Sequence, residues 1–273
     1  MTRESVISKD DTKIGYTKFG TGPAIIIVHG GCSIQQNWFV FARELAATHT
    51  VYTYDRRGRG QSLDTGKSYT FEKELDDLSA MVALAGPETA IVGHSFGGGI
   101  ALAYAMRDGF TGKVILYEPM NSIFQQVSRG HLAEIKEFVD KGDLDAATYL
   151  IQTEIVCQPK ADVDMFRNRP YWSVFCKYTP IFVREIEALD NLKPSAVDAG
   201  KLKAKTWLLL GDTSWPEIRI ASAGLVSIIK GLTVYPIIGQ HHIAYSDNPV
   251  LLKNIVVRCL MKIKTRSSIE INQ

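Results

Sequence analysis

Gly93-His94-Ser95-Phe96-Gly97 is the stretch of this 273-residue chain best equipped to do covalent chemistry. The apolar run Thr89-Ala90-Ile91-Val92 precedes it, and the small-residue run Gly98-Gly99-Ile100-Ala101-Leu102-Ala103-Tyr104-Ala105 follows. Ser95 therefore falls where a strand turns sharply into a helix. Such a bend strains the serine backbone, and side chains at 93 and 97 would collide with the neighbouring strand and helix. A serine hydroxyl attacks a carbonyl only when an imidazole removes its proton and an acidic group orients that imidazole. His29 ends an apolar run, His94 adjoins the serine, His49 and His131 read as surface positions, and His241-His242 follow the last apolar run. Attack produces an oxyanion, which preorganised N–H groups stabilise; the amide of Phe96, at a helix N-terminus directly after the serine, is one such donor.

Short apolar runs alternating with longer amphipathic ones supply the frame for these groups, a mainly parallel sheet with helices on both faces. Strands are expected near 4–8, 13–19, 24–29, 50–54, 89–93, 113–117, 206–210 and 233–238, the first two as an antiparallel hairpin turning at Asp10-Asp11. Helices are expected over 36–47, 71–84, 95–107, 215–230 and 249–262. Between Pro119 and about Lys203 the rhythm changes to helices only, over 130–141, 144–157, 163–168 and 171–189, with breaks at Gly142, Pro159 and Pro170. A helical insertion between two strands reads as a lid. The expected division is a core of residues 1–118 and 204–273 with a cap of residues 119–203.

Composition bounds the rest. A chain 45% apolar and 22% charged has the balance of a globular protein with a sizeable core. A net charge of +2 argues against a nucleic-acid partner, and Arg56-Arg57-Gly58-Arg59 reads as a solvated loop. Cys32, Cys157, Cys176 and Cys259 lack metal-ligand spacing and read as free thiols in a reducing compartment. With no apolar leader and no run near the ~20 residues that span a bilayer, a cytoplasmic protein without a membrane partner is expected, as monomer or homodimer.

In order, His29-Gly30-Gly31, the loop Tyr54-Asp55-Arg56-Arg57-Gly58-Arg59-Gly60-Gln61-Ser62, the bend at Ser95, the helical insertion and Gly239-Gln240-His241-His242 resemble the α/β-hydrolase superfamily over nearly the whole chain. The resemblance implies an eight-stranded, mostly parallel sheet with an inserted helical cap, and a cofactor-independent serine hydrolase. It makes His29 and His94 buried scaffold residues. His242, three residues after Gly239, becomes the base, with His241 beside it. The loop Asp55 to Ser62 becomes a brace of the scaffold, and the Gly31 amide joins that of Phe96 as an oxyanion donor. The acid departs from the usual pattern, because Ser214 in Leu210-Gly211-Asp212-Thr213-Ser214 stands in the slot where the family carries aspartate. Some members, among them zearalenone-type lactone hydrolases, take the acid from the end of the sixth strand, where this chain has Glu118. Asp212 is the alternative, Glu217 a third candidate, and a Glu118 that merely caps its strand also fits.

Tyr171, Phe175, Tyr178 and Phe182 share one helical face, with Trp172 beside it, and Trp38, Phe39, Phe96, Met120 and Phe124 lie in loops near the same mouth. Such stripes are commonly core packing, yet a cap must cover the serine, so an apolar pocket lined by Trp38, Met120, Phe124, Trp172 and Phe175 is expected. It suits a small hydrophobic ester or lactone. The alternatives are a lyase, cyclase or C–C bond hydrolase on the same fold, or a receptor-like protein with little turnover, which the missing aspartate favours.

Overall fold

A computed structural model describes residues 2–64, 68–192 and 195–261. In chain order the elements are β1 (Thr2–Ile7), β2 (Lys13–Phe19), β3 (Ala24–Val28), α1 (Phe39–Leu45), β4 (Thr50–Tyr54), α2 (Phe71–Ala85), β5 (Ala90–His94), α3 (Phe96–Arg107) and β6 (Lys113–Tyr117). They continue with α4 (Leu132–Asp140), α5 (Leu144–Leu150), α6 (Lys160–Arg167), α7 (Trp172–Asp190), α8 (Ala196–Ala199), β7 (Lys205–Gly211), α9 (Pro216–Ile228), β8 (Thr233–Ile237), α10 (Ala244–Asp247) and α11 (Pro249–Leu260). The eight strands form one sheet in the order β1-β2-β4-β3-β5-β6-β7-β8, in which β2 pairs antiparallel with β1 and β4 and every other pair is parallel. The expected closing helix ran to Lys262, which lies outside the described residues.

Alternation along the strands divides the core in two. Ile26, Val28, Ile91, Val114, Leu116 and Leu208 face a cluster shared with α2, α3 and α7, while Ile25, Ile27, Val92, Ile115 and Leu209 face one shared with α1 and α11. Central strands of a parallel sheet are covered on both faces and therefore read as unbroken apolar runs. Inside the insertion, the helix expected over 144–157 is α5 followed by a π-turn at Ile151–Ile155. Helix α7 runs unbroken through Pro180, with the Thr179 hydroxyl donating to the Phe175 carbonyl at 3.1 Å.

The loop after β4 corrects one expectation. Arg56, Arg57 and Arg59 are at most 1% exposed, not solvated. Arg56 pairs with Glu74 of α2 and Glu185 of α7, Arg59 with Glu185, and Arg57 with Asp77 of α2 and Asp10. Guanidinium groups tolerate burial when carboxylates take their N–H bonds, and these partners come from distant segments. Among the described residues no helix is long and apolar enough to cross a membrane.

Candidate active site

Ser95 stands between the last residue of β5 and the first of α3 with φ 53° and ψ −122°, a conformation costing about 1–3 kcal/mol that only a rigid surrounding sustains. Its amide donates to the Tyr117 carbonyl at 3.0 Å and its carbonyl accepts from Met120 at 2.9 Å, tying the bend to the end of β6. A Cβ on Gly93 would come within 2.6 Å of the Gly97 carbonyl oxygen, and one on Gly97 within 2.2 Å of that of Val28. Both glycines are there because backbones pass too closely for any side chain.

Glu118, one residue past β6, also has positive φ, 44°, and is 2% exposed. Its Oε2 lies 2.7 Å from His242 Nδ1, while Oε1 accepts the Gly211 amide at 2.8 Å and a short hydrogen bond from the Ser214 hydroxyl. Burial raises the carboxyl's pKa, but the hydrogen bond and charge of His242, with the Ser214 and Gly211 donors, outweigh it and hold Glu118 below the usual carboxylate range. Asp212, the alternative acid, is exposed and its carboxylate accepts the Gly239 amide at 2.7 Å. Glu217 lies at the start of α9 on the wall of the cavity that holds Ser95. Ser214 is the site residue that the sequence did not disclose. Its signal was available as a hydroxyl in the usual place of the acid, where it donates to the Glu118 carboxylate.

The loop carrying His242 is pinned from below. His94, held neutral by burial and by the neighbouring His242, donates from Nε2 to the His242 carbonyl at 2.9 Å, and the two rings lie 4.4 Å apart. The tautomer follows from the partner, since a carbonyl oxygen only accepts. Tyr117 donates a short hydrogen bond to the His241 carbonyl and accepts the Ala244 amide at 2.9 Å. His241 itself is turned toward Asp247, 3.6 Å away.

Ser95, His242 and Met120 border two small adjoining cavities of about 80 Å3 each. One adds Phe124, Arg129, Ile155, Glu217 and Ile220; the other adds Gly31, Cys32, Tyr171, Phe175, Phe182 and Tyr245. The aromatic face of α7 thus reaches the serine, apart from Tyr178, which packs near Arg59. Of the expected pocket walls, Trp38 and Trp172 lie elsewhere, as does Phe39 of the nearby loop. Trp38 is 1% exposed and stacks on Tyr245 at 4.1 Å beneath His94, Phe39 packs edge-on against Phe19, and Trp172 packs on Phe166 and donates to Asp145 at 2.8 Å. Their hydrophobic area is satisfied in the core and within the insertion.

No acceptor among the described residues takes the Gly31 amide, and the Phe96 amide, at the first position of α3, has no carbonyl a turn earlier to bond. Glycine at 31 is required by close packing: a Cβ there would lie 2.2 Å from the Phe182 ring. The assembly thus offers a hydroxyl on a strained bend, an imidazole held by a buried carboxylate, and two free amides. Among the described residues no three His, Cys, Asp or Glu side chains are grouped to hold a metal ion.

Residues 25–242 match the sequence model of the Alpha/beta hydrolase family. The chain is 40% identical over 258 residues, 85% of its own length and 90% of the relative's, to the proline iminopeptidase PfmaB of Pestalotiopsis fici. Among solved structures it resembles an alpha/beta hydrolase from Sphaerobacter thermophilus, with a TM-score of 0.84, 25% identity and coverage of 94% of this chain and 100% of that one. It shares the fold of the enol-lactonase from Burkholderia xenovorans, with a TM-score of 0.73, 19% identity and coverage of 95% and 100%.

Proposed function

The chain belongs to the alpha/beta hydrolase family, and from that premise we propose that it is a serine hydrolase opening a carboxylic ester or lactone of a small hydrophobic molecule. Residues 119–203 act as a cap over a core of 1–118 and 204–273. The reading is carried by the 2.7 Å contact between Glu118 Oε2 and His242 Nδ1, beside a serine on a strained bend.

Glu118 accepts a hydrogen bond from Nδ1–H and so leaves the Nε2 lone pair free to take the proton of the Ser95 hydroxyl. The serine oxygen adds to the substrate carbonyl, and the Gly31 and Phe96 amides receive the resulting oxyanion. The imidazolium then protonates the leaving alcohol, and water, deprotonated by the same imidazole, releases the acid and regenerates Ser95. Glu118 stabilises the imidazolium throughout. A buried carboxylate on the imidazole supports an enzyme over a receptor-like protein, whose histidine needs no acidic partner. Phe124, Phe175, Phe182 and Met120 support an uncharged, apolar acyl compound.

The likeness to PfmaB supports a second reading, cleavage of an N-terminal proline amide, in which Glu217, half-buried on the wall of the cavity that Ser95 also lines, pairs with the substrate's ammonium. Fluorophosphonate labelling followed by peptide mapping tests the shared chemistry: Ser95 is expected to carry the label, and an unlabelled Ser95 in folded protein overturns it. Rates on 4-nitrophenyl esters, lactones and proline 4-nitroanilide then separate the two readings.

A further inference from the structure

Arg56 lies outside the triad, yet its contacts converge on the peptide that presents the Gly31 amide. Nη2 donates to the Gly30 carbonyl at 3.1 Å and Nε to the His29 carbonyl at 3.1 Å. The Arg56 backbone N–H donates to His29 Nε2 at 3.1 Å, and His29 Nδ1 lies 2.9 Å from the same Gly30 oxygen. That carbonyl only accepts, so Nδ1 carries the ring proton and Nε2 the lone pair. Burial, with the charges of Arg56 and Arg59, keeps His29 neutral, as this arrangement requires.

The Gly30 carbonyl and the Gly31 N–H belong to one trans peptide, so they point in opposite directions. Two donors on the oxygen therefore fix where the N–H points and polarise it as a donor. The guanidinium carbon also lies 4.6 Å from the centre of the Phe96 ring, on the residue that supplies the second amide. Arg56 is held in turn by Glu185 of α7, through Nη1 at 2.9 Å and Nη2 at 3.0 Å, and by Glu74 at 2.9 Å.

We propose that Arg56 is a positioning residue for the oxyanion-binding amide of Gly31, and that Glu185 makes its hold depend on the seating of the cap. The inference rests on the serine-hydrolase reading above. In a variant lacking the fork, His29 Nδ1 alone holds the Gly30 oxygen and the peptide is less firmly fixed, which leaves substrate binding intact and weakens the response to developing negative charge.

The test compares wild type with Arg56→Lys, which keeps the charge and loses the fork. Phenylboronic acid serves as the tetrahedral probe: the Ser95 oxygen forms a bond to boron, its proton passes to His242, and a boron-bound oxygen occupies the oxyanion position. Benzyl alcohol is the uncharged control. Arg56→Lys is expected to weaken phenylboronic acid by roughly 10- to 30-fold, less than outright loss of an oxyanion donor. Benzyl alcohol is expected to bind within about twofold of wild type, and kcat on 4-nitrophenyl butyrate to fall with KM unchanged. Glu185→Gln, which leaves every arginine in place, is expected to shift the same ratio in the same direction by about threefold, and it carries the test if Arg56→Lys does not fold. Equal weakening of both probes, or of neither, overturns the proposal. Wild-type protein that neither binds the boronic acid nor labels at Ser95 removes the reading of the site itself, and this inference with it.

Discussion

Glu118 and Glu185 are both sealed carboxylates, 2% and 0% exposed, yet their surroundings assign them different work. Glu185 receives two N–H bonds from Arg56 and two from Arg59, at 2.6 to 3.0 Å. Burial pushes its pKa up, the two guanidinium charges pull it further down, and no partner there exchanges a proton near neutral pH. Glu118 faces one imidazole and two neutral donors; in the proposed reaction that imidazole gains and loses a proton while the carboxylate stays charged. Burial marks both residues; the chemistry of the partner separates a structural anchor from the acid proposed for catalysis.

The comparison is most exposed to Glu118→Gln. With protein folded, turnover is expected to fall by about 10,000-fold, because the amide holds the wrong imidazole tautomer. Asp212→Asn is expected to leave kcat within about twofold, and a reversal of the two results would move the acid to the loop after β7.

Glu185→Gln tests the other side. Removing one member of a buried charge cluster leaves guanidinium uncompensated, and urea titration is expected to show about 3–5 kcal/mol lost. A loss below about 1 kcal/mol would mean that the cap is seated by its apolar contacts alone.

Ser214→Ala sharpens what neutral donors contribute to Glu118. Loss of one hydrogen bond to a buried carboxylate is expected to lower kcat about tenfold. It should also raise the Glu118 pKa, so the pH below which activity is lost moves upward. The Glu118 pKa is lower folded than unfolded; its contribution to stability is therefore full above about 4.5 and disappears as pH falls through the folded value.

Glu74→Gln has the smallest expected effect. Burial pushes the Glu74 carboxyl up to about 7, and one of its oxygens has no hydrogen-bond partner among the described residues. A carboxyl raised in the folded state lowers stability as pH rises from about 4.5 to about 7. The glutamine variant is expected to remove that slope and to cost about 1 kcal/mol or less near pH 5, as followed by thermal melts across this range.

Much of this molecule was legible in one dimension. The strands, the bend at Ser95 and the helices between β6 and β7 are local patterns of apolar spacing and glycine, set within ten or twenty residues of chain. The three arginines after β4 were misread as solvated because Glu74, Asp77 and Glu185 lie elsewhere in the sequence. Trp38 and Trp172 were misplaced for a related reason: a large aromatic side chain shows that it will be buried, and does not show against what.

The amino-acid sequence by itself determined the alternation of elements, the strained serine and the short set of histidines and acids that could serve it, since these follow from neighbours along the backbone. Only the tertiary structure decided that Glu118 reaches His242 across 124 positions, that Ser214 became its donor, and that Arg56 grips the peptide behind Gly31. Hydrogen bonds act over about 3 Å, and which groups come that close depends on how sheet, loops and cap pack.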